Sequence, residues 1–418
     1  LLGSDTNGLA FSASDDSMVI RDTVTPANAY VGTTTAKLGS VRASAGLYYD
    51  SSFVIQSSAN ALRRDYDARV TGPKYLIEPA ATNYRTYSSD FSNAVWSVNE
   101  ITRTAGATTA PDGTTTATLL VPSTLNNPHR LIDSGVLAAV AGTWTVSQFV
   151  KPSGYTQVGF RENLASGASV SFFLTGSGTV DVVRNAGAVT ASGRITALAN
   201  GWYRVEATFV GTTTPSVAFY VFGGGYTSGD PFGYSWTGNG TSGVYVWLST
   251  VEDGVFATSP IPTTSAAVTR AADKPLIATT AFNWQTATVT LYAKYSRRTN
   301  VGDVHLYSQA GVRAFELYSA AGTPSVYQNT LGALAALSAP AALTTPKVAA
   351  AGAVNDFAMS SNGAAVVTDA TTSAMIAVTT LNVGSLDGNA NWLSGWIIDG
   401  MHLPRRMTNA EITTVTTP

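Results

Sequence analysis

The sequence predicts an all-β chain built as tandem antiparallel β-sandwiches behind a β-rich N-terminal segment. Charged residues make up 12% of the 418 residues, about half the usual share of roughly 25%. Threonine, serine, alanine and glycine take their place, which suits short strands and tight turns and does not favour long helices. Apolar residues also recur at period two, the spacing that lines one face of a strand. Tyr203, Val205, Ala207 and Phe209 alternate with Arg204, Glu206 and Thr208. Ala287, Val289, Leu291, Ala293 and Tyr295 alternate with Thr288, Thr290, Tyr292 and Lys294. Turn signals divide the strands, the clearest being Asn362-Gly363, whose residue types supply the φ > 0 pair of a type I′ hairpin. At this length two or three domains are expected.

Charge and composition set aside several functions. A net charge of −2 offers no basic groove for nucleic acid and no patch for an anionic membrane. There is no cysteine, hence neither a disulfide frame nor a thiolate metal site. His129, His305 and His402 are too scattered to suggest a histidine-built metal centre. No apolar run approaches the roughly 18 residues of a membrane span. The chain begins Leu1-Leu2-Gly3 without a methionine or a basic run, which predicts no secretory signal and a native start that is missing or processed.

In chain order, residues 1–74 hold short strands at 8–12, 17–21, 46–49 and 53–55. That is little apolar material for a core, so the segment is expected to lean on its neighbours or on another subunit. Arg63, Arg64, Asp65 and Asp67 read locally as a surface ion-pair cluster of small energetic value. Leu76-Ile77-Glu78 is a strand stopped by Pro79, which cannot donate to a ladder. The polar run that follows carries Tyr84, Tyr87, Phe91 and Trp96 into a new β domain. Residues 86–272 read as that domain, with strands at 114–121, 143–150, 156–160, 169–174, 202–210, 217–222 and 244–248. Many evenly spaced strands with glycine turns indicate a sandwich of jelly-roll type. The strand 202–210 should have one buried and one wet face. Residues 263–274 read as a linker, followed by a second patterned β domain. Its features are the 287–295 strand, the 356–367 hairpin and a capping box, Thr408 with Glu411, that starts one helical turn. The alanine-rich piece 331–343 reads equally as a brief helix or a loop. The expected domains are therefore 1–85, 86–272 and 273–418.

Gly238-Asn239-Gly240-Thr241-Ser242-Gly243 fits G-x-G-x-x-G, but a strand follows it and not a helix N-terminus that could hold a pyrophosphate. It reads as a β-turn. The loop carrying Tyr226, Asp230, Phe232, Tyr234, Trp236 and Asn239 suits carbohydrate, because sugars stack apolar ring faces on aromatics while amides and carboxylates meet their hydroxyls. The alternative is that Tyr234 and Trp236 pack over the end of the sandwich. His129 and Arg130 form a second loop candidate, and Trp392 a third in the C-terminal sandwich, with Asn389 and Asn391 nearby; Trp396 reads as core. Hydrolysis of a glycoside needs two carboxylates a few ångströms apart, and the acids here are scattered. No catalytic residue is assigned. Calcium is the one plausible ion, with Asp90, Glu252 and Asp253 as oxygen ligands; no cofactor is otherwise required.

Several ordered blocks resemble a known family. Leu76-Ile77-Glu78, then Thr82-Asn83, lead into Tyr87-Ser88-Ser89-Asp90-Phe91-Ser92-Asn93-Ala94-Val95-Trp96. This is similar to a junction in the spike and fibre proteins of tailed bacteriophages. Ala110–Ala117, Trp144–Lys151, Gly201–Arg204, Gly243–Trp247 and Glu252–Thr264 resemble further blocks of that family in matching order. The resemblance implies a carbohydrate-binding-module-like jelly roll on a phage particle, with 1–85 as an attachment segment. Residues 381–398 resemble the closing block of laminin-G and concanavalin A-like sandwiches; where that family has I-D-E-V, this chain has Ile398-Asp399-Gly400-Met401. The implied role is a virion surface spike or fibre, a head spike first and a tail-tip receptor-binding protein second, that adheres to bacterial cell-surface polysaccharide. A capsule-degrading depolymerase and a purely structural decoration protein are the contrasting readings. The implied partners are other virion proteins, polysaccharide and further copies of the chain, with neither nucleic acid nor membrane insertion. The implied location is the particle surface after synthesis in the bacterial cytoplasm.

Overall fold

The computed structural model describes residues 8–14, 16–21, 30–33, 39–40, 42–68, 72–133, 142–163, 167–212, 215–282, 284, 287–298, 304–308, 315–320, 323–328, 332–336, 346–370, 378–386, 388 and 390–418. The chain forms two compact units: Leu1–Ser51 with Ser58–Ala80 and Ala271–Pro418, and Ser52–Ser57 with Ala81–Arg270. The fold is all-β. Each unit is an antiparallel sandwich, and one α-helix, Asn409–Thr416, is present among the described residues.

In the first unit the organising strand is Gly395–Leu403, buried at nearly every position. One flank pairs with Thr288–Arg297. The other flank pairs end to end with Gly8–Ser12 and with Lys74–Ile77. Residues 1–85 were expected as a separate N-terminal segment that leans on its neighbours; Gly8–Ser12, Ser17–Arg21, Tyr30–Thr33, Arg63–Asp65 and Lys74–Ile77 instead join this sheet as integral strands. A nine-residue central strand needs ladder partners along both flanks, and the N-terminal segment supplies one of them. The second sheet of the unit runs Gly332–Ala336, Thr323–Gln328, Glu316–Ala320, Val304–Ser308, Thr380–Val383, Pro275–Ala278 and Gly39–Ser40. The alanine-rich stretch is thus a strand over Gly332–Ala336; its remainder lies outside the described residues.

Leu9, Phe11, Val289, Leu291 and Ile397 from one sheet meet Leu306, Tyr307, Leu317, Leu381 and Val383 from the other in one core. Gly400 explains why an acidic residue is missing from the closing block. A Cβ there would lie 2.2 Å from the Phe11 ring and from the Tyr307 hydroxyl, so only glycine lets both side chains close over the strand. The capping box is present, with Thr408 accepting from the Glu411 amide and Glu411 from the Thr408 amide, and it starts an eight-residue helix. Asn362 and Gly363 both have positive φ, as the hairpin requires.

The ion-pair cluster belongs to the interior. Arg63, Asp65 and Asp67 are buried. Asp273 binds both Arg42 and Arg63 and accepts from the Glu78 amide at 2.9 Å. Glu78 in turn binds Arg63 at 3.0 Å and also Arg298. Trp396 donates to Asp65 at 2.8 Å under the guanidinium of Arg298. The expected linker is therefore anchored on each side of Arg270. Asp273 is buried within the first unit, while Val268–Arg270 pairs with Ala81–Asn83 in the second.

The second unit consists of two six-stranded sheets. One runs Trp96–Asn99, His129–Asp133, Val217–Phe222, Gln157–Glu162, Ser169–Phe173 and Thr179–Arg184. Its partner runs Ile101–Thr108, Ala117–Pro122, Gly243–Asp253, Thr143–Ser153, Tyr203–Val210 and Thr190–Ala197. The chain crosses repeatedly between them, as a jelly roll does. Trp144, Val146, Val205 and Phe209 pack against Leu131, Val158, Phe160, Phe172 and Phe219 to form the core. A bulge at Leu248, with φ of 37°, reverses the inward parity of the strand Gly243–Asp253. The polar face of Tyr203–Val210 is not wet, as alternation suggested. Arg204 and Glu206 are each 2% exposed, because residues 254–258 lie over them: Arg204 donates to the Thr258 carbonyl at 2.7 Å and Thr145 to that of Gly254 at 2.8 Å. A covering segment of irregular backbone needs hydrogen-bond partners from the face beneath it, which is why this face is polar and yet buried.

Candidate functional site

The strand Val217–Phe222 is apolar and buried at every position. Val217, Phe219 and Val221 enter the sandwich core, while Ala218, Tyr220 and Phe222 form a second cluster on the outer face with Tyr226. The chain after this strand folds back across that face. Tyr226 stacks on Phe222 with centroids 4.4 Å apart, and Tyr234 meets both rings edge-on at 5.4 and 5.7 Å. Gln157 fixes the loop by donating to the Tyr226 carbonyl at 2.6 Å, and it also donates to Asp181 at 2.7 Å.

The loop presents a short 3-10 turn, Pro231–Gly233, capped by Asp230, whose carboxylate accepts from the Phe232 amide at 3.0 Å. The same carboxylate receives the Arg161 guanidinium through two bonds, at 2.6 and 3.0 Å. Burial works against its charge, but the Arg161 bonds prevail and hold the Asp230 carboxyl below the usual carboxylate range. Phe232 is therefore displayed at 52% exposure. The guanidinium carbons of Arg130 and Arg161 lie 4.7 and 5.5 Å from its ring centroid. Arg130 donates to the Tyr220 hydroxyl at 3.3 Å. Gly167 admits the charged heads of this corner: a Cβ there would sit 2.7 Å from Asp230 Oδ2, 2.9 Å from Arg161 Nη2 and 3.3 Å from Arg184 Nη1. The result is an exposed aromatic ring, two adjacent guanidinium groups and a fixed carboxylate on one sheet face.

The structure thus brings together Arg130, Tyr226, Asp230, Phe232 and Tyr234. Within that group Tyr226 is buried at 2% and supports the loop without facing solvent. His129 is corrected: it is fully buried on the opposite face of its strand, its ring nitrogens 2.7 and 2.9 Å from the Glu100 and Trp236 carbonyls. Trp236 caps the sandwich. It packs with the core, donates to the Val221 carbonyl at 3.2 Å and meets His129 and Tyr155 edge-on. Asn239 is exposed, but its side chain is spent inside the 239–242 turn. Trp392 lies in the other unit, donating to the Asp273 carbonyl at 2.9 Å. Asn389 lies outside the described residues, and Asn391 is an exposed loop residue with positive φ.

The expected calcium ligands do not form a site. Among the described residues no group of three or more His, Asp or Glu side chains is arranged to hold a metal ion. Glu252 is buried, which raises its pKa, and it accepts from Thr250 and Thr258. Asp253 accepts from the Tyr84 hydroxyl at 2.6 Å, and Asp90 caps a turn through Ser92. Among the described residues no helix is long and apolar enough to cross a membrane.

Reading the sequence missed Arg161, Arg184, Tyr220 and Gln157. One signal was available: a strand apolar at consecutive positions, Val217-Ala218-Phe219-Tyr220-Val221-Phe222, implies cover on both faces and hence a loop lying over it.

No family model matches the chain, and no curated protein does. Among solved structures it is similar to the Ruminococcus gnavus IT-sialidase CBM40 bound to alpha2,3 sialyllactose, at 17% identity over 32% of this chain and 84% of that one, with a TM-score of 0.28. Trypanosoma rangeli sialidase matches at 11% identity over 72% of this chain and 60% of that one, TM-score 0.28. Domains LG4-5 of the mouse laminin alpha1 chain match at 12% identity over 68% and 92%, TM-score 0.24. Scores this low carry nothing about ligand or activity, and the fold rests on the strand pairing above.

Proposed function

We propose that this chain is an adhesin of a particle surface, a spike or fibre of a tailed phage, that binds bacterial cell-surface polysaccharide through the outer face around Phe232. The observation that carries the binding reading is the display of that ring. Phe232 stands half exposed on a turn fixed by Asp230 and Arg161, beside the guanidinium of Arg130. A rigid aromatic face next to fixed polar groups is what a sugar ring requires, with stacking for its C–H face and directed donors and acceptors for its hydroxyls. The particle location rests on the ordered sequence blocks that resemble phage spikes. In that reading the head is the first placement and the tail tip the second, the N-terminal segment meets other virion proteins, and synthesis is in the bacterial cytoplasm.

Binding without cleavage is the favoured chemistry. Asp230 and Asp181, carboxylates described on this face, are both engaged, Asp230 by Arg161 and Asp181 by Gln157 and Ser171. Immobilised protein should retain bacterial surface polysaccharide without shortening it. Phe232→Ala should weaken retention by on the order of 1–2 kcal/mol, the loss of one aromatic anchor, at unchanged melting temperature. Undiminished retention by that variant would remove the site, and new reducing ends accumulating over hours would replace the adhesin with a depolymerase.

A further inference from the structure

We infer that the saccharide taken by this face carries a carboxylate, and that Arg130 is the group that receives it. This rests on the binding reading above and adds the ligand's charge. Three guanidinium groups, those of Arg130, Arg161 and Arg184, stand around the loop, and they are not equivalent. Arg161 has its fork filled by Asp230 through two bonds. Arg184 donates to the Gly167 carbonyl, in the corner where Asp230 and Arg161 also converge.

Arg130 is different. Its one hydrogen bond among the described residues goes to the Tyr220 hydroxyl, at the long distance of 3.3 Å. Its Nε is buried and has no partner among them. Tyr220 is neutral, burial holding its phenol above the usual range, so it cannot balance the charge. A half-buried guanidinium without a counter-ion loses hydration and gains little in return. A planar fork is best satisfied by a planar anion bound through two bonds. The exposed Phe232 ring, whose centroid is 4.7 Å from that guanidinium, places an apolar platform beside the charge. A sugar ring on the platform with its own carboxylate on Arg130 uses both; a neutral sugar leaves the cation unmatched.

The test uses the full chain on an array of bacterial surface polysaccharides, neutral and uronate-bearing, with each uronate-bearing sample also printed after chemical reduction of its carboxyls to alcohols. The expected result is retention of uronate-bearing samples, a loss of about tenfold or more on carboxyl reduction, and weakening by added salt. Arg130→Gln should abolish the preference for unreduced over reduced samples and flatten the salt dependence, and Arg130→Lys should restore part of both. Phe232→Ala should weaken every interaction while keeping the preference, which separates charge recognition from stacking. Melting temperatures of all three variants confirm that they are folded. Equal retention of reduced and unreduced samples would overturn the inference and leave the adhesin reading standing. A preference that survives in Arg130→Gln would overturn Arg130 as the receiving group. Retention of no sample at all would overturn both.

Discussion

Replacing Trp236 with alanine separates a residue that builds the site from one that contacts the ligand. Its indole lies against Gly223, where a Cβ would come within 2.5 Å of the ring, and meets His129 and Tyr155 edge-on at 4.5 and 4.9 Å. It also donates to the Val221 carbonyl at 3.2 Å. Taking about 150 Å² of apolar surface buried by a mostly enclosed indole, at roughly 25 cal/mol per Å², the ring contributes about 4 kcal/mol. The hydrogen bond adds about 1 kcal/mol. Trp236 is partly buried and partial collapse of the loop recovers some of this, so the cost should fall at about 3–5 kcal/mol, the range for large aromatics truncated to alanine. In a unit of this size each kcal/mol lowers the melting temperature by about 2–4 °C, giving a drop of roughly 6–20 °C for that unit. Calorimetry measures the transition, and polysaccharide retention per folded molecule is measured well below it. Retention should remain close to wild type, the reverse of Phe232→Ala. A melting temperature within about 2 °C of wild type, less than 1 kcal/mol, together with lost retention would refute the assignment of Trp236 to the cap and return it to the binding surface.

Three further outcomes follow from the first unit. Asp273→Ala leaves the buried Arg42 and Arg63 without their shared carboxylate and should cost about 3–5 kcal/mol by denaturant unfolding; a loss below about 1 kcal/mol would mean that water or Glu78 takes over. His402 is buried between Phe282 and Trp284, and burial lowers its pKa from 6.5 to about 3. The unfolded chain therefore gains a proton near pH 6.5 that the folded chain refuses until about pH 3. Its contribution to stability is complete above pH 6.5 and is lost on acidification across that window, at roughly 1.4 kcal/mol per pH unit. His402→Leu should be less steeply destabilised than wild type between pH 6 and 4; equal slopes would refute a neutral buried imidazole. Thr408→Ala removes the cap that accepts from the Glu411 amide and should cost about 1 kcal/mol, seen as faster hydrogen exchange at the start of the C-terminal helix.

What the sequence determined by itself is whatever depends on near neighbours. The alternation through Val289–Tyr295 and Tyr203–Phe209 fixed which side chains enter each sandwich core, while Ala287, just ahead of the first run, is exposed. Thr408 with Glu411 fixed the helix start, and Asn362-Gly363 the hairpin. These are local: period two, one cap and two positive φ values need no distant partner. The aromatic loop was legible for the same reason, since a dense run of rings among glycines is visible in one dimension. What only the tertiary structure decided is what covers what. Arg63 and Asp65 resembled a solvated pair until Asp273, more than 200 residues away, closed the network. Arg204 and Glu206 resembled a wet face until residues 254–258 lay over it. Gly8–Ser12 resembled a separate segment until Gly395–Leu403 offered it a ladder. The site divided along the same line. Phe232 and Asp230 could be named from the sequence, but Arg161 could not, because its place beside Asp230 is set by the pairing of Gln157–Glu162 with Val217–Phe222. Burial and charge pairing are properties of the space between elements, and residues brought into that space from far along the chain leave no periodic trace in it.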